Sequence, residues 1–171
     1  MRGETRHIVR PFGPVYDSES RILILGSFPS VKSREVRFYY GHPRNRFWPL
    51  LARLLECPVP ETVEQRRDLV LENRIALWDS IEECDITGSS DSSIRNAVPV
   101  DIMRVLAAAP VRTIYANGAT SGKVYEKYLQ GITGREITVL PSTSPANAAW
   151  SMERLEEKWK VVLHDLNEND S

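Results

Sequence analysis

Four short segments that are apolar on both faces constrain the fold more than anything else in this 171-residue chain. They are Arg21-Ile-Leu-Ile-Leu-Gly26, Arg74-Ile-Ala-Leu-Trp-Asp79, Val111-Arg-Thr-Ile-Tyr-Ala116 and Glu136-Ile-Thr-Val-Leu140. Each is short, apolar on both faces, and rich in β-branched or aromatic residues. Such segments read as parallel strands covered by helices on both sides. Helical patterns fall between them. Phe47, Trp48, Leu50, Leu51, Leu54 and Leu55 form one apolar stripe, and a charged helix is predicted over 62–73. Further helices are predicted over 99–109, with Pro near the start, and over 119–130. A last helix over 151–166 places Leu155, Trp159, Val162, Leu163 and Leu166 on one face. Strand followed by helix, four times over, predicts a three-layer α/β/α sandwich around a small four-stranded, mostly parallel sheet. The length suits one domain over residues 1–171, with a core large enough to stand without disulfides or a structural metal.

The chain carries 22 Lys+Arg against 23 Asp+Glu, a formal net charge of -1. A nucleic-acid binder driven by overall positive charge is not indicated, and any polyanion site must be a local patch. Two cysteines, Cys57 and Cys84, cannot by themselves hold a four-thiolate zinc site or an iron–sulfur cluster. No His/Asp/Glu spacing suggests a metal, and no cofactor is expected. No apolar run approaches the roughly 20 residues of a membrane span, and none follows the charged start as a secretory signal would. A reduced, cytoplasmic, soluble monomer is the expectation.

In parallel α/β folds, ligands bind beyond the carboxyl ends of the strands. Four loops should therefore meet on one rim: Gly26-Ser-Phe-Pro-Ser30, Asp79-Ser80, Asn117-Gly118 and Pro141-Ser-Thr-Ser-Pro-Ala-Asn147. Backbone N–H groups of Ser27 and Phe28 can donate to a carbonyl or an anion, although the spacing is not that of a phosphate-binding loop; the same residues also read as a plain Gly/Pro turn. Between Pro29 and Arg46 the charge turns basic, with Lys32, Arg34, Arg37, Arg44 and Arg46 against Glu35, interleaved with Phe38, Tyr39, Tyr40 and His42. Cations for phosphates and aromatics for bases suit a displaced nucleic-acid strand, and the segment reads as a long binding loop. Asn45 precedes an apolar helical run, where its ordinary role is an N-cap. Asp79 can accept a ligand N–H or cap a turn over Ser80–Glu83. Ser142, Thr143 and Ser144 offer hydroxyls suited to phosphates, or simply a connection to the last helix. The stretch from Glu153 to Asp170 has six acids against Arg154, Lys158 and Lys160 and should face away from a polyanion.

Taken together, these loops resemble the uracil-DNA glycosylase superfamily, from Ile22 to about Trp159. The most specific piece is Gly41-His-Pro-Arg-Asn-Arg-Phe-Trp48, which is similar to a His-Pro-x-Asn-Arg-Phe-Trp stretch of the mismatch-specific uracil glycosylases. Gly26-Ser-Phe-Pro-Ser30 looks like the superfamily's first motif, and Leu140-Pro-Ser-Thr-Ser-Pro-Ala-Asn147 like its second, DNA-entering motif. Most of the superfamily has Asp or Asn at the third position of the first motif; here it is Phe28. The His that several families carry in the second motif is replaced by Pro141-Ser142. This combination, with Tyr39-Tyr40 ahead of His42-Pro43, is similar to the hypoxanthine-DNA glycosylase family.

That resemblance implies a base-excision repair enzyme that flips a deaminated base from DNA, hypoxanthine first and uracil second, and hydrolyses its N-glycosidic bond. It makes Asn45 catalytic, positioning the water that attacks C1′. It assigns base contacts to Ser27, Phe28, Tyr40, Phe47, Asp79 and Asn117, with Phe47 stacking on the flipped base and Asp79 accepting N1–H of hypoxanthine. It assigns DNA contacts to Lys32, Arg44, Arg46, Ser142, Thr143, Ser144, Pro145, Ala146 and Asn147. The competing readings are a uracil or G-mismatch glycosylase, a non-catalytic damage-binding module, and a hydrolase of free nucleosides.

Overall fold

The computed structural model describes residues 4–87 and 93–167. Four strands form one all-parallel sheet: β2 (Ile22–Gly26), β3 (Ile75–Asp79), β6 (Thr113–Asn117) and β7 (Thr138–Leu140), in the order β3-β2-β6-β7. All four lie within the segments expected, but β7 is corrected in one respect: it is a short edge strand with Thr138 and Val139 exposed, not a strand buried on both faces. β2 and β3 are buried along their whole length, which is why they read as unbroken apolar runs. Helices α3 (Val63–Glu72), α5 (Ala119–Tyr128) and α8 (Val161–Asn167) flank the sheet, packing on β3, on β6 and β7, and on β2 respectively. Helix α2 (Phe47–Leu55) buries Phe47, Trp48, Leu50, Leu51 and Leu54 and meets α7 (Met152–Trp159) through the Phe47–Trp159 edge contact. Pro49 lies in the first turn of α2, where its missing N–H breaks no helical bond. A Thr62–Gln65 capping box starts α3.

Register does the work of assembling a site. Gly26 pairs with Asp79, and Asn117 pairs with Leu140, so the four carboxyl ends finish level with one another. The loops that follow them consequently open on one rim, as the strand order required.

Several expectations are corrected. A second, antiparallel sheet of β1 (Thr5–Val9), β4 (Ile81–Thr87) and β5 (Arg95–Pro99) stands beside the first, in the order β1-β4-β5. Ser80–Glu83 is therefore not a capped turn but the entry to β4, with Ser80 and Ile81 N–H bonded to the carbonyls of Gly26 and Ser27. The helix expected over 99–109 shrinks to α4 (Met103–Leu106), because Pro99 ends edge strand β5, a position where a missing N–H is tolerated. Within the loop expected over 29–46, α1 (Val31–Val36) forms, capped by the Ser30 hydroxyl accepting from Ser33 N–H. The last helix is divided at Lys160 into α7 and α8. Of its acidic tail, Glu168 and Asp170 lie outside the described residues.

Candidate active site

The rim encloses a cleft of about 850 Å³ lined by all four loops, including Ser27, Phe28, Tyr40, Asn45, Asp79, Asn117, Ser142, Thr143, Ser144, Ala146 and Asn147. That volume lies inside the ~300–1,000 Å³ usual for ligand sites. Phe28 also belongs to a small apolar cluster with Ile81, Cys84 and Ile86, so the first-motif loop is anchored to the antiparallel sheet. The Ser27 hydroxyl pairs with that of Ser121 at 3.3 Å, and Ser121 in turn donates to the Asn117 carbonyl.

Asn45 is joined to the second-motif loop. Its Oδ1 accepts from Phe47 N–H at 2.9 Å and from the Thr143 hydroxyl at 2.8 Å. Thr143 is fully buried, and Asn117 holds it from the other side: Asn117 Oδ1 accepts Thr143 N–H at 3.0 Å, and Asn117 Nδ2 donates to Thr143 Oγ1 at 2.9 Å. Arg46 N–H donates to the Thr143 carbonyl at 3.0 Å. The expected cap is corrected: the N-cap of α2 is Arg46, without a side-chain cap, and Asn45, one residue earlier, accepts from Phe47 N–H in an Asx-type bond. Asn117 and Thr143, expected on the base and on the phosphates, instead have their side chains engaged with each other and with Asn45.

Asp79 sits at the end of β3 with a buried carboxylate, 7% exposed. Its partner escaped the reading of the sequence: Arg10 Nη1 lies 3.1 Å from Asp79 Oδ2, and the same guanidinium donates to Tyr39 Oη at 2.9 Å and to the Phe12 carbonyl at 2.9 Å. Burial raises the Asp79 pKa above its ordinary value, opposed first by the Arg10 charge and hydrogen bond and then by a backbone bond from Gly26. A methyl group on Gly26 would meet Asp79 Oδ1 at 2.3 Å, so this carboxylate occupies the space that only glycine leaves open. The Tyr40 hydroxyl is also buried here and without a hydrogen bond of normal geometry. Burial first, and the Asp79 charge second, push its pKa well up, while Asn117 acts the other way. Tyr40 thus presents a neutral phenol. Its backbone is left-handed at φ 53°, which lays its ring on that of Phe47 at 4.1 Å.

That stacking corrects the expectation for Phe47. Its ring is 1% exposed, covered by Tyr40 on one side and packed among Trp48 and Trp159 on others. Tyr40, not Phe47, faces the cleft. The basic stretch is corrected as well. Arg37 donates to the Pro11 carbonyl, Arg34 lies over the Phe28 ring, and Lys32 pairs with Glu35 at 3.1 Å. Arg46 donates to the carbonyls of Asn147 and Trp150 and so braces the second-motif loop from beneath. Arg44 is exposed, and its side chain has no partner among the described residues. Lys158, expected to face away, lines the cleft. Pro145 lies in the same loop without lining the cleft; Ser142, Ser144 and Asn147 are hydrogen-bonded within the loop.

These positions separate the two arginines. Arg44→Ala should weaken binding to DNA of any sequence and reduce the salt slope by about one, with an unchanged melting temperature. Arg46→Ala should lower stability by about 1.5–3 kcal/mol, the worth of hydrogen bonds from a charged donor. Fluorescence anisotropy over a salt series and a melting curve decide it, and a wild-type melt for Arg46→Ala would contradict the brace.

The pattern that defines the uracil DNA glycosylase superfamily matches residues 14–166, and the chain belongs to that superfamily. Among individual relatives, the chain is 38% identical over 158 residues to a hypoxanthine DNA glycosylase of Methanosarcina acetivorans, spanning 91% of this chain and 98% of that protein. It is 35% identical over 138 residues to a hypoxanthine DNA glycosylase of Methanosarcina barkeri, spanning 80% of this chain and 86% of that one. A solution NMR structure from Methanosarcina acetivorans, provisionally assigned as a uracil DNA glycosylase, superposes with a TM-score of 0.78 at 35% identity, over 94% of this chain and 100% of that one. Among the described residues no helix is long and apolar enough to cross a membrane.

Proposed function

We propose that this protein is a monofunctional DNA glycosylase of base-excision repair that removes hypoxanthine. The observation that carries the reading is the joining of Asn45 to the second-motif loop in a cleft that a buried Asp79 carboxylate also lines, in a chain 38% identical to a hypoxanthine DNA glycosylase. The flipped base enters the cleft, where Asp79 accepts its N1–H, a donor that adenine lacks. Tyr40 supplies the aromatic face and a phenol O–H. As the C1′–N9 bond breaks, its electron pair passes to the departing purine, and hydrogen-bond donors around Ser27 and Phe28 stabilise that charge. Water adds to C1′ of the oxocarbenium-like sugar and its proton passes to the released base. Asn45 acts on this reacting centre. Ser142, Ser144, Ala146 and Asn147 meet the DNA, with Arg44 and Lys32 on phosphates. We take the protein to act as a monomer, and we place it in the cytoplasm.

Oligonucleotides carrying hypoxanthine, uracil or xanthine, incubated with the protein and cleaved at abasic sites by alkali, test this directly. Hypoxanthine should be released fastest. Fastest release of uracil would make it a uracil glycosylase, and tight binding without release a damage-binding module.

Asp79 adds a pH prediction. The acceptor form is the carboxylate, and its pKa is raised by burial. Hypoxanthine excision should therefore fall as pH drops through a value above the ordinary carboxylate range of ~4. Asp79→Asn should lower the single-turnover rate by about 10- to 100-fold, the 1.5–3 kcal/mol of a hydrogen bond to a charged acceptor, and should remove that acid limb. An acid limb that persists in Asp79→Asn assigns it to another group.

A further inference from the structure

The direction of every hydrogen bond between Asn117, Thr143 and Asn45 is fixed by groups that cannot reverse. Phe47 N–H can only donate, so the Asn45 atom facing it at 2.9 Å is the carbonyl oxygen. Thr143 N–H can only donate, so the Asn117 atom facing it at 3.0 Å is likewise the oxygen, which turns Asn117 Nδ2 onto Thr143 Oγ1. With its oxygen occupied by that donor, Thr143 directs its own proton to Asn45 Oδ1 at 2.8 Å. Both lone pairs of Asn45 Oδ1 are thereby engaged. The Asn45 Nδ2 hydrogens have no acceptor among the described residues, and Asn45 lines the cleft.

We infer that Asn45 acts at the reacting centre as a hydrogen-bond donor rather than as an acceptor, and that Thr143 is the positioning residue that enforces this polarity. The inference rests on the glycosylase reading and sharpens it. An acceptor at this position would take a proton of the attacking water. A donor instead holds a lone pair, either that of the water oxygen or that of N3 on the departing purine, where negative charge accumulates. Thr143, although it sits in the motif expected to meet DNA, is buried, and its task is internal. Without its hydroxyl the Asn45 oxygen keeps only the Phe47 N–H, so the amide is held less firmly with its nitrogen toward the cleft.

Single-turnover excision of hypoxanthine from a duplex, measured with melting curves for each variant, tests this. Thr143→Val, which keeps the shape and loses the hydroxyl, should slow the chemical step by up to about a hundredfold, as displaced catalytic groups do, with affinity for damaged DNA unchanged. Thr143→Ser should restore most of the rate. Asn45→Asp retains an oxygen for Phe47 N–H and Thr143 but replaces the cleft-facing donor with a charged acceptor. At pH 8 it should be as slow as Asn45→Ala. As pH falls and the introduced carboxyl takes up a proton, which makes it a donor, its rate relative to wild type should rise. Asp79, Tyr40 and Lys158 line the same cleft, and the wild-type profile run alongside accounts for their titration. A 3-deazahypoxanthine substrate, which lacks the N3 lone pair, separates the two acceptors: the Asn45→Ala penalty vanishes there if N3 is the partner and persists if water is. Asn45→Asp matching wild type at pH 8, or Thr143→Val matching wild type in rate, would overturn the inference while leaving a glycosylase intact. Failure to release any base from the oligonucleotide panel would instead overturn the glycosylase reading.

Discussion

Arg10→Met is expected to destabilise the protein by about 3–5 kcal/mol at pH 8, the penalty for removing one partner of a buried ion pair. The guanidinium is 1% exposed and the carboxylate it faces 7%. Methionine fills much of the same volume but leaves Asp79 buried without its cation, and Tyr39 Oη and the Phe12 carbonyl without their donor. The loss should depend on pH in a definite direction. In the variant, the Asp79 pKa rises further above its unfolded value of ~3.9, so the folded state holds a proton that the unfolded state has released. Stability should then fall as pH rises through that window, and the deficit against wild type should shrink on acidification. Urea unfolding at pH 5 and pH 8 measures it. Arg10→Met combined with Asp79→Asn should recover much of the loss at pH 8, because no buried charge remains. An equal deficit at both pH values would mean that Arg10 contributes packing alone.

Asn45→Ala is expected to reduce single-turnover excision of hypoxanthine by at least about a hundredfold, the lower bound for losing one positioned catalytic group. The same change removes the acceptor for Phe47 N–H and for the Thr143 hydroxyl, which should cost about 1–2 kcal/mol of stability. Affinity for damaged DNA should survive, since Tyr40, Asp79 and Arg44 are untouched. The two effects are separable by running the kinetics well below the melting temperature. A variant that melts a few degrees lower yet excises at the wild-type rate would leave Asn45 only its structural bonds to Phe47 N–H and Thr143, and the reacting group would have to be sought at Asp79.

The central sheet was legible because burial on both faces leaves a mark in the residues themselves. Ile22 to Leu25 and Ile75 to Trp78 could be placed nowhere but between two layers of helix. The antiparallel sheet left no such mark. β1 is exposed along almost its whole length and β5 nearly so, and β4 buries Ile81, Cys84 and Ile86 among acids. Edge pairing of this kind is held by backbone bonds, which any sequence can make. α1 was missed for a related reason: six residues with one buried side chain carry no readable period.

For the site, the sequence by itself determined which loops meet, since parallel strands ending level must open on one rim, and which residue types stand there: Asn45, Asp79, Tyr40 and the small polar run after Leu140. Only the tertiary structure decided what each of them does with its hydrogen bonds. Arg10 and Asp79 are 69 residues apart, and Asn45 and Thr143 are 98 apart. No local pattern records such a pairing. The same holds for charge. Spacing gave five cations beside the cleft, but the fold turned Arg37 and Arg46 onto backbone carbonyls and Arg34 onto an aromatic ring, leaving Arg44 to solvent. A side chain's chemistry is written in its residue type. Whether that chemistry faces a ligand or the protein's own backbone depends on which distant groups the packing brings within about 3 Å, the range over which a hydrogen bond forms.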